Sequence, residues 1–365
     1  MTETHLWGPD LDLSKGGVQA FSHFLQQALM TIAPRRTLRS FVKHSADGRW
    51  FRSQTPVFAA SLLWAGIQRR PELVISSHIN FLPVARLLKR LCGTRYVGVA
   101  HGIEVWGNER PALRAALRAA DLILCVSRHT RDRVSAEHGI PLERLGVLPN
   151  TFDAPRFVPG PKSEELQSRY ALPPNAKVIY SFGRLSATER YKGFDRVIAA
   201  LPAIRQQVPD AHYLIGGTGD DRPNLERLAH EAGVAAWVRF TGFIPADELC
   251  AHYQLCDVFA MPSTGEGFGI VFLEAMACGK PVLAGNRDGS VEPLADGRFG
   301  ALVDPLDIGQ IAATIADILL SRHAHPLMFQ PEELRRQVVA EFGFDRFCER
   351  LSAALAKVTP PSSLA

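Results

Sequence analysis

The chain of 365 residues is poor in the features that mark secretion, membrane insertion or metal binding. Its six cysteines, Cys92, Cys125, Cys250, Cys256, Cys278 and Cys348, are scattered through apolar segments with no C-x-x-C pair. That pattern argues against a disulfide framework or a zinc site and predicts reduced, packed thiols. The longest uncharged run that could be mistaken for a membrane span, Ser53 to Gln68, falls short of the roughly 20 apolar residues a bilayer demands. Pro56 near its start suits the first turn of an ordinary packed helix. Met1 is followed by polar residues, not by a basic and then an apolar segment, so no secretory signal and a cytoplasmic location are expected. A P-loop is missing, and of the dinucleotide fingerprint only a G-x-G occurs, in "LIGGTGDDRPNLERL". No basic stripe is interleaved with aromatics, which argues against nucleic acid as a partner. Internal repeats are absent, and the one biased segment is the polar tail "TPPSSLA".

What is present describes a globular α/β chain. Apolar residues make up 46% and the mean hydropathy is −0.01, while the length favours two cores over one. The net charge of +4 hides an asymmetry: residues 1–150 carry 20 Lys and Arg against 11 Asp and Glu, and the remainder 21 against 26. A basic first half suits an anionic partner such as a phospholipid surface or a lipid diphosphate. Arg35, Arg36, Arg69, Arg70, Arg86, Lys89 and Arg90 cluster beside apolar helices and would face that surface; the plainer reading is a set of solvated helix faces.

Runs rich in β-branched residues alternate with helical patterns. "TLRSFVK", "ELVISSH", "RYVGVAHG" and "DLILCVS" are candidate strands of the first half. "KVIYSFG", "AHYLIGG", "WVRFTGF", "VFAMPS", "PVLAG" and "GALVDP" are those of the second. Such alternation implies parallel sheets covered by helices on both faces. The prolines of "VLPNTFDAPRFVPGPKSEELQ" cannot sit in a central strand and mark a break. Two doubly wound domains are therefore expected, 1–160 and 161–345, with a last helix and tail over 346–365 that is free to pack on either. Ligands of open α/β sheets bind beyond the carboxyl ends of the strands, so two such domains facing each other would enclose a cleft.

Several short stretches could place chemistry at those strand ends. In "STGEGFGIVFLEAMACGKPV" Glu266 lies in a glycine-rich loop before a helix and Glu274 on the helix, and a helix start favours phosphate. The alternative is an exposed loop acid and an acid complementing the helix dipole. "SFGRLSATERYKGFDRVI" brings Arg184 and Lys192 after a strand, a fork and a point charge suited to a diphosphate; isolated loop cations are more often merely solvated. Gly16 and Gly17 precede a helix in "LSKGGVQAFSHFLQQAL", and His101 closes a strand in "VGVAHGIEVWG" with Glu104 three residues on. His101 could equally be a satisfied loop histidine.

Together these elements resemble the retaining nucleotide-sugar glycosyltransferases of the GT-B fold, family 4. The matching pieces run in the family's order: "GGVQ", "HGIE", "VLPN", "GRLSATERYKGFD", "GGTGDDRPNLERL", "TGF" and "GEGFGIVFLEAMACGKPV" with its E-x7-E spacing. The resemblance implies that Arg184 and Lys192 grip the diphosphate and stabilise it as it leaves. Glu266 would hold the sugar hydroxyls, and the backbone of Gly267, Phe268 and Gly269, leading into Ile270, would approach sugar and phosphate. Glu274 would bind the ribose, and the segment Thr241, Gly242, Phe243, Ile244 would lie beside the base. His101 would reach the sugar, and Gly16 and Gly17 would line the phosphate and acceptor side.

Glycosyl transfer through an oxocarbenium-like state needs stabilisation of the leaving diphosphate. Two cations and a helix start supply this without a metal or cofactor, and no Asp-x-Asp is read at a strand end to hold a metal. The donor would be a UDP-sugar or GDP-mannose. The acceptor would be a glycan or polyprenyl-diphosphate-linked glycan of surface polysaccharide synthesis, met at the inner face of the cytoplasmic membrane. An epimerase or hydrolase on the same fold, or a non-catalytic binding protein, are the alternatives. Two departures stand out: the first strand is reduced to "THLW", and the Arg184 to Lys192 spacing is long, so Arg190 could share the phosphate role.

Overall fold

A computed structural model describes residues 3–12, 16–43 and 55–359. The polar tail beyond Thr359 and the first two residues of the uncharged run at Ser53 lie outside the described residues. The chain falls into two compact units, residues 1–152 with 344–365, and residues 153–343.

The first unit alternates β1 (Glu3–Gly8), α1 (Gly17–Ile32), β2 (Thr37–Val42), α2 (Thr55–Arg69), β3 (Leu73–Ser76), α3 (Leu82–Cys92), β4 (Arg95–Ala100), α4 (Pro111–Ala119), β5 (Leu122–Cys125), α5 (Arg128–His138) and β6 (Leu145–Val147). Its sheet has the order β2-β1-β3-β4-β5-β6, every neighbouring pair parallel. The interior strands are continuous apolar runs because helices cover both faces. β1, read in sequence as a stunted "THLW", is a six-residue strand bonded on both sides.

The second unit comprises α6 (Glu164–Arg169), β7 (Lys177–Phe182), α7 (Phe194–Gln207), β8 (Ala211–Gly216), α8 (Arg222–Glu231), β9 (Val238–Gly242), α9 (Leu249–Leu255), β10 (Val258–Met261), α10 (Ile270–Ala277), β11 (Val282–Gly285), β12 (Ala301–Val303), α11 (Ile308–Leu319) and α12 (Pro331–Phe342). The sheet runs β12-β11-β10-β7-β8-β9, again parallel. The winding therefore reverses between β7 and β10, the position at which doubly wound sheets open a crevice.

The division falls at 152/153, earlier than the break anticipated near residue 160, because the proline-rich segment packs on the second unit. Arg335 donates to the carbonyls of Ala154 (2.9 Å) and Phe157 (3.3 Å), and Lys162 pairs with Asp257 at 2.5 Å. The last helix, α13 (Phe344–Leu355), returns to the first unit. There Phe347 meets Phe21 edge-on at 5.6 Å and Arg95 donates to the Val358 carbonyl at 2.5 Å.

Candidate functional site

α10 is the most apolar helix of the second unit, "IVFLEAMA", and Glu274 is its single polar residue. Gly269 caps its start at φ 90°, and a Cβ there would lie 2.5 Å from the Phe272 ring. The position therefore requires glycine. Tyr253 on α9, fully buried among Phe157, Tyr180 and Phe259, donates its hydroxyl to Glu274 Oε2 at 2.7 Å. Burial pushes the Glu274 carboxyl up to about 7, against the opposing pulls of that hydroxyl and of Arg156. An acid on an apolar helix with one hydroxyl partner is poised to receive further hydrogen-bond donors.

Glu266 sits in the loop after β10, and Lys192 closes the loop after β7. The reversal of the sheet brings them together: Lys192 Nζ lies 2.6 Å from Glu266 Oε1, with both side chains 13% exposed. Glu189 stands 3.6 Å from the same ammonium and pairs with Arg184 at 3.0 Å. Burial pulls Lys192 down, but Glu266, Tyr191 and Glu189 outweigh it and raise the ammonium above its ordinary range. Lys192 is thus held charged. Arg184, 68% exposed, keeps most of its fork open to solvent.

The long spacing between Arg184 and Lys192 is taken up by a 3-10 segment kinked at Glu189. It turns Arg190 onto Asp221, with contacts of 2.8 and 2.6 Å. Arg190, 57% exposed, is thus paired with the start of α8. Gly193 follows at φ 83°, and a Cβ there would meet the Pro262 carbonyl at 2.4 Å, so the β7 and β10 loops pass in backbone contact.

The G-x-G of "LIGGTGDD" is filled from within. A Cβ at Gly217 would lie 1.9 Å from the Gly183 carbonyl, and one at Gly219 2.0 Å from that of Leu185. These glycines admit the backbone of the Arg184 loop. Gly242 ends β9 at φ 74° and its carbonyl accepts from Gly217 N at 3.0 Å. Beside it Phe243 is 73% exposed, whereas Ile244 is buried. Phe268 is buried too, edge-on to Phe342, so only its backbone is placed to serve a ligand. Gly267 and Ile270 flank the start of α10.

In the first unit His101 follows β4. Its Nε2–H donates to the Ser77 carbonyl at 2.8 Å, a bond that fixes the tautomer and leaves Nδ1 as an acceptor. Burial lowers the imidazole to about 4, so it is neutral near pH 7. Glu104 accepts from the His101 amide at 2.6 Å and anchors the turn. Gly16 caps α1 at φ 132°, and a Cβ at Gly17 would touch nothing within 4 Å. An Asp-x-Asp does follow β1, contrary to expectation. Asp10, however, caps its own turn by accepting from the amides of Leu11 (2.7 Å) and Asp12 (3.2 Å). Among the described residues no three His, Cys, Asp or Glu side chains converge as metal ligands would.

Comparison with known proteins decides the family. The profile for "Glycosyl transferases group 1" matches residues 162–337, and that for "Glycosyltransferase Family 4" matches residues 18–156. The chain belongs to glycosyltransferase family 4. A GDP-mannose-dependent alpha-(1-6)-phosphatidylinositol monomannoside mannosyltransferase of Mycolicibacterium smegmatis is 40% identical over 245 residues, 64% of this chain and 63% of that protein. The protein of the same name from Mycobacterium tuberculosis is 37% identical over 276 residues, 72% of this chain and 70% of the relative.

Among solved structures, sucrose-phosphate synthase from Thermosynechococcus elongatus superposes with a TM-score of 0.78 at 19% identity. The superposition covers 98% of this chain and 99% of the other. Anabaena Alr3699/HepE in complex with UDP gives 0.76 at 21%, over 98% and 100%. The family member has the GT-B fold, with two parallel six-stranded sheets. Sequence reasoning missed Tyr253, Glu189 and Asp288. Tyr253 and Asp288 lie in none of the motifs quoted above, and Glu189 lies within "GRLSATERYKGFD" without having been singled out there.

Proposed function

We propose that this family 4 member is a retaining mannosyltransferase that moves mannose from GDP-mannose onto a phosphoinositide-type glycolipid. The observation that carries the enzymatic part is the Lys192–Glu266 pair at the reversal of the second sheet, with the Tyr253–Glu274 pair on the adjoining helix. In this reading the diphosphate lies against Arg184, Lys192 and the backbone of Gly267 to Ile270. Glu266 accepts from sugar hydroxyls, and Glu274 receives the ribose diol beside its tyrosine partner. Gly242, Phe243 and Ile244 flank the base, with Phe243 offering an exposed ring.

As the glycosidic bond stretches, negative charge collects on the diphosphate. A lysine kept protonated by its surroundings is already in place to take it up. No carboxylate nucleophile is assigned. The front-face course, in which a leaving phosphate oxygen accepts the acceptor's proton, uses the groups already named. His101 Nδ1 is suited to accept from a sugar hydroxyl, and its low proton affinity makes it a poor general acid. Gly16 and Gly17 leave the start of α1 open to a phosphate or an acceptor.

The names of the relatives, with their GDP-mannose donor and phosphatidylinositol mannoside acceptor, favour a glycolipid over a polyprenyl-diphosphate-linked glycan. No described helix is long and apolar enough to cross a membrane, so access to a lipid acceptor calls for a docking face. α2 and α3 supply one: Val57, Trp64, Leu87 and Leu91 are exposed, and Arg69, Arg70 and Arg90 are exposed beside them. Arg36 and Lys89 do not join it, being tied to Glu72 (2.9 Å) and Asp121 (2.6 Å).

The test is a thermal-shift panel of GDP, UDP and their sugars, followed by transfer of labelled mannose to phosphatidylinositol mannoside in mixed vesicles. GDP and GDP-mannose should raise the melting temperature and label should enter the lipid. A shift with UDP-sugars alone would overturn the donor assignment.

A further inference from the structure

Asp288 belongs to none of the motifs above, yet it is wired to the loop that carries Glu266. It follows β11, is 3% exposed, and pairs with no Lys or Arg among the described residues. Oδ2 accepts from Ser263 Oγ at 2.6 Å and from the Glu266 amide at 2.7 Å, while Oδ1 accepts from the Ser290 amide at 2.9 Å. The next residue completes the clamp, since Gly289 N donates to the Glu266 carbonyl at 2.9 Å. Both main-chain polar groups of Glu266 are therefore held by two consecutive residues of the β11 loop.

The fit is close. A Cβ at Gly289 would stand 2.1 Å from the Gly267 carbonyl, and one at Gly285 2.2 Å from that of Ser263. Ser263 and Ser290, both fully buried, are 2.8 Å apart through their hydroxyls. An acid is required at the hub because all three contacts described are donors. An amide would turn an N–H toward one of them.

We infer that Asp288 is a positioning residue for the transfer reaction: it fixes the backbone at Glu266 so that the side chain meets the sugar while remaining within reach of Lys192. The inference rests on the sugar-binding role proposed for Glu266. Asp288 itself touches neither sugar nor phosphate. Its effect therefore falls more heavily on interactions with the sugar than on those with the nucleotide diphosphate. Hydrogen bonds to a charged group are strong enough that their loss should slow transfer roughly 10- to 100-fold.

The experiment compares wild type, Asp288→Asn, Asp288→Ala, Glu266→Ala and the Glu266→Ala/Asp288→Asn pair. Three quantities are read: affinity for GDP and for GDP-mannose by calorimetry, kcat, and amide hydrogen exchange over residues 264–268. Asp288→Asn should weaken GDP-mannose binding more than GDP binding, lose kcat, and exchange those amides faster. In the Glu266→Ala background it should have little further effect on kcat, because both changes act through one contact. Equal weakening of GDP and GDP-mannose binding, with a lower melting temperature to match, would make Asp288 a general structural residue and overturn the inference. So would unchanged exchange. If Asp288→Ala fails to fold, Asp288→Asn decides. If wild type binds no sugar nucleotide, the reading of Glu266 fails, while the exchange measurement still judges whether Asp288 holds the loop.

Discussion

Lys192 Nζ lies 2.6 Å from Glu266 Oε1, joining the loop after β7 to the loop after β10. Two residues 74 positions apart in the chain thus meet where the strand order reverses. Each is the other's main source of charge compensation in a mostly buried place, with Glu189 as a third member. A ligand that engages either one changes the electrostatics of both.

Breaking that pair from one side should cost stability as well as turnover. Lys192→Met leaves Glu266 under-compensated and should lower unfolding free energy by roughly 3 kcal/mol. Combining it with Glu266→Gln should recover most of the stability and none of the activity. Denaturant melts and initial rates on the two single variants and the double check this. Glu266→Gln alone should lose at least about 100-fold in kcat/KM, near 3 kcal/mol of transition-state stabilisation.

Glu274 sets a pH dependence. Its carboxyl titrates near 7 in the folded chain, above its ordinary value of 4.5. Between those values the folded protein holds a proton that the unfolded chain has released. Stability from this group therefore falls as pH rises through that window and levels off above it. Accepting from a ribose diol improves with ionisation, so GDP affinity should rise through about pH 7 and be flat in Glu274→Gln. Tyr253→Phe removes a donor that lowers the carboxyl, and should move the midpoint upward. Calorimetry between about pH 5.5 and 8.5 reads both effects.

Two glycines should respond in opposite ways. Gly217→Ala places a methyl 1.9 Å from the Gly183 carbonyl and should destabilise by about 2 kcal/mol or more. Gly17→Ala meets nothing within 4 Å and should be neutral or stabilising by about 0.5 kcal/mol. If Gly17→Ala nevertheless loses activity while its melting temperature holds, the backbone there is approached by substrate.

Membrane docking through α2 and α3 predicts salt-sensitive sedimentation with anionic vesicles and little with neutral ones. Arg69→Glu/Arg70→Glu should weaken vesicle binding at least 10-fold, at about 1 kcal/mol per basic residue near the surface. Trp64→Ala should weaken it without altering the salt slope. Equal binding to neutral and anionic vesicles would count against this face.

Strand and helix alternation, the parallel sheets and the E-x7-E segment were legible because each is written in contiguous residues. Glu274 could be singled out from its place on an apolar helix. Its partner Tyr253 could not, since a tyrosine in "CAHYQLC" reads as core. Arg190 and Arg184 look alike in sequence, and only the kinked segment around Glu189 sends the first to Asp221 and the second to Glu189. Arg36 and Lys89 counted toward a basic surface until their acidic partners were seen. Asp288 was invisible because hydrogen bonds to backbone leave no pattern in side-chain identity.

The return of α13 to the first unit means that this unit is not a contiguous stretch of polypeptide. Its core gains Phe347 only after the whole intervening unit has been synthesised. A ribosome releases the second unit's strands before the first has its last helix, so the first unit must wait, open along α1, for its final piece. Cutting the chain at residue 152 should yield an N-terminal fragment with an uncovered aromatic face along α1.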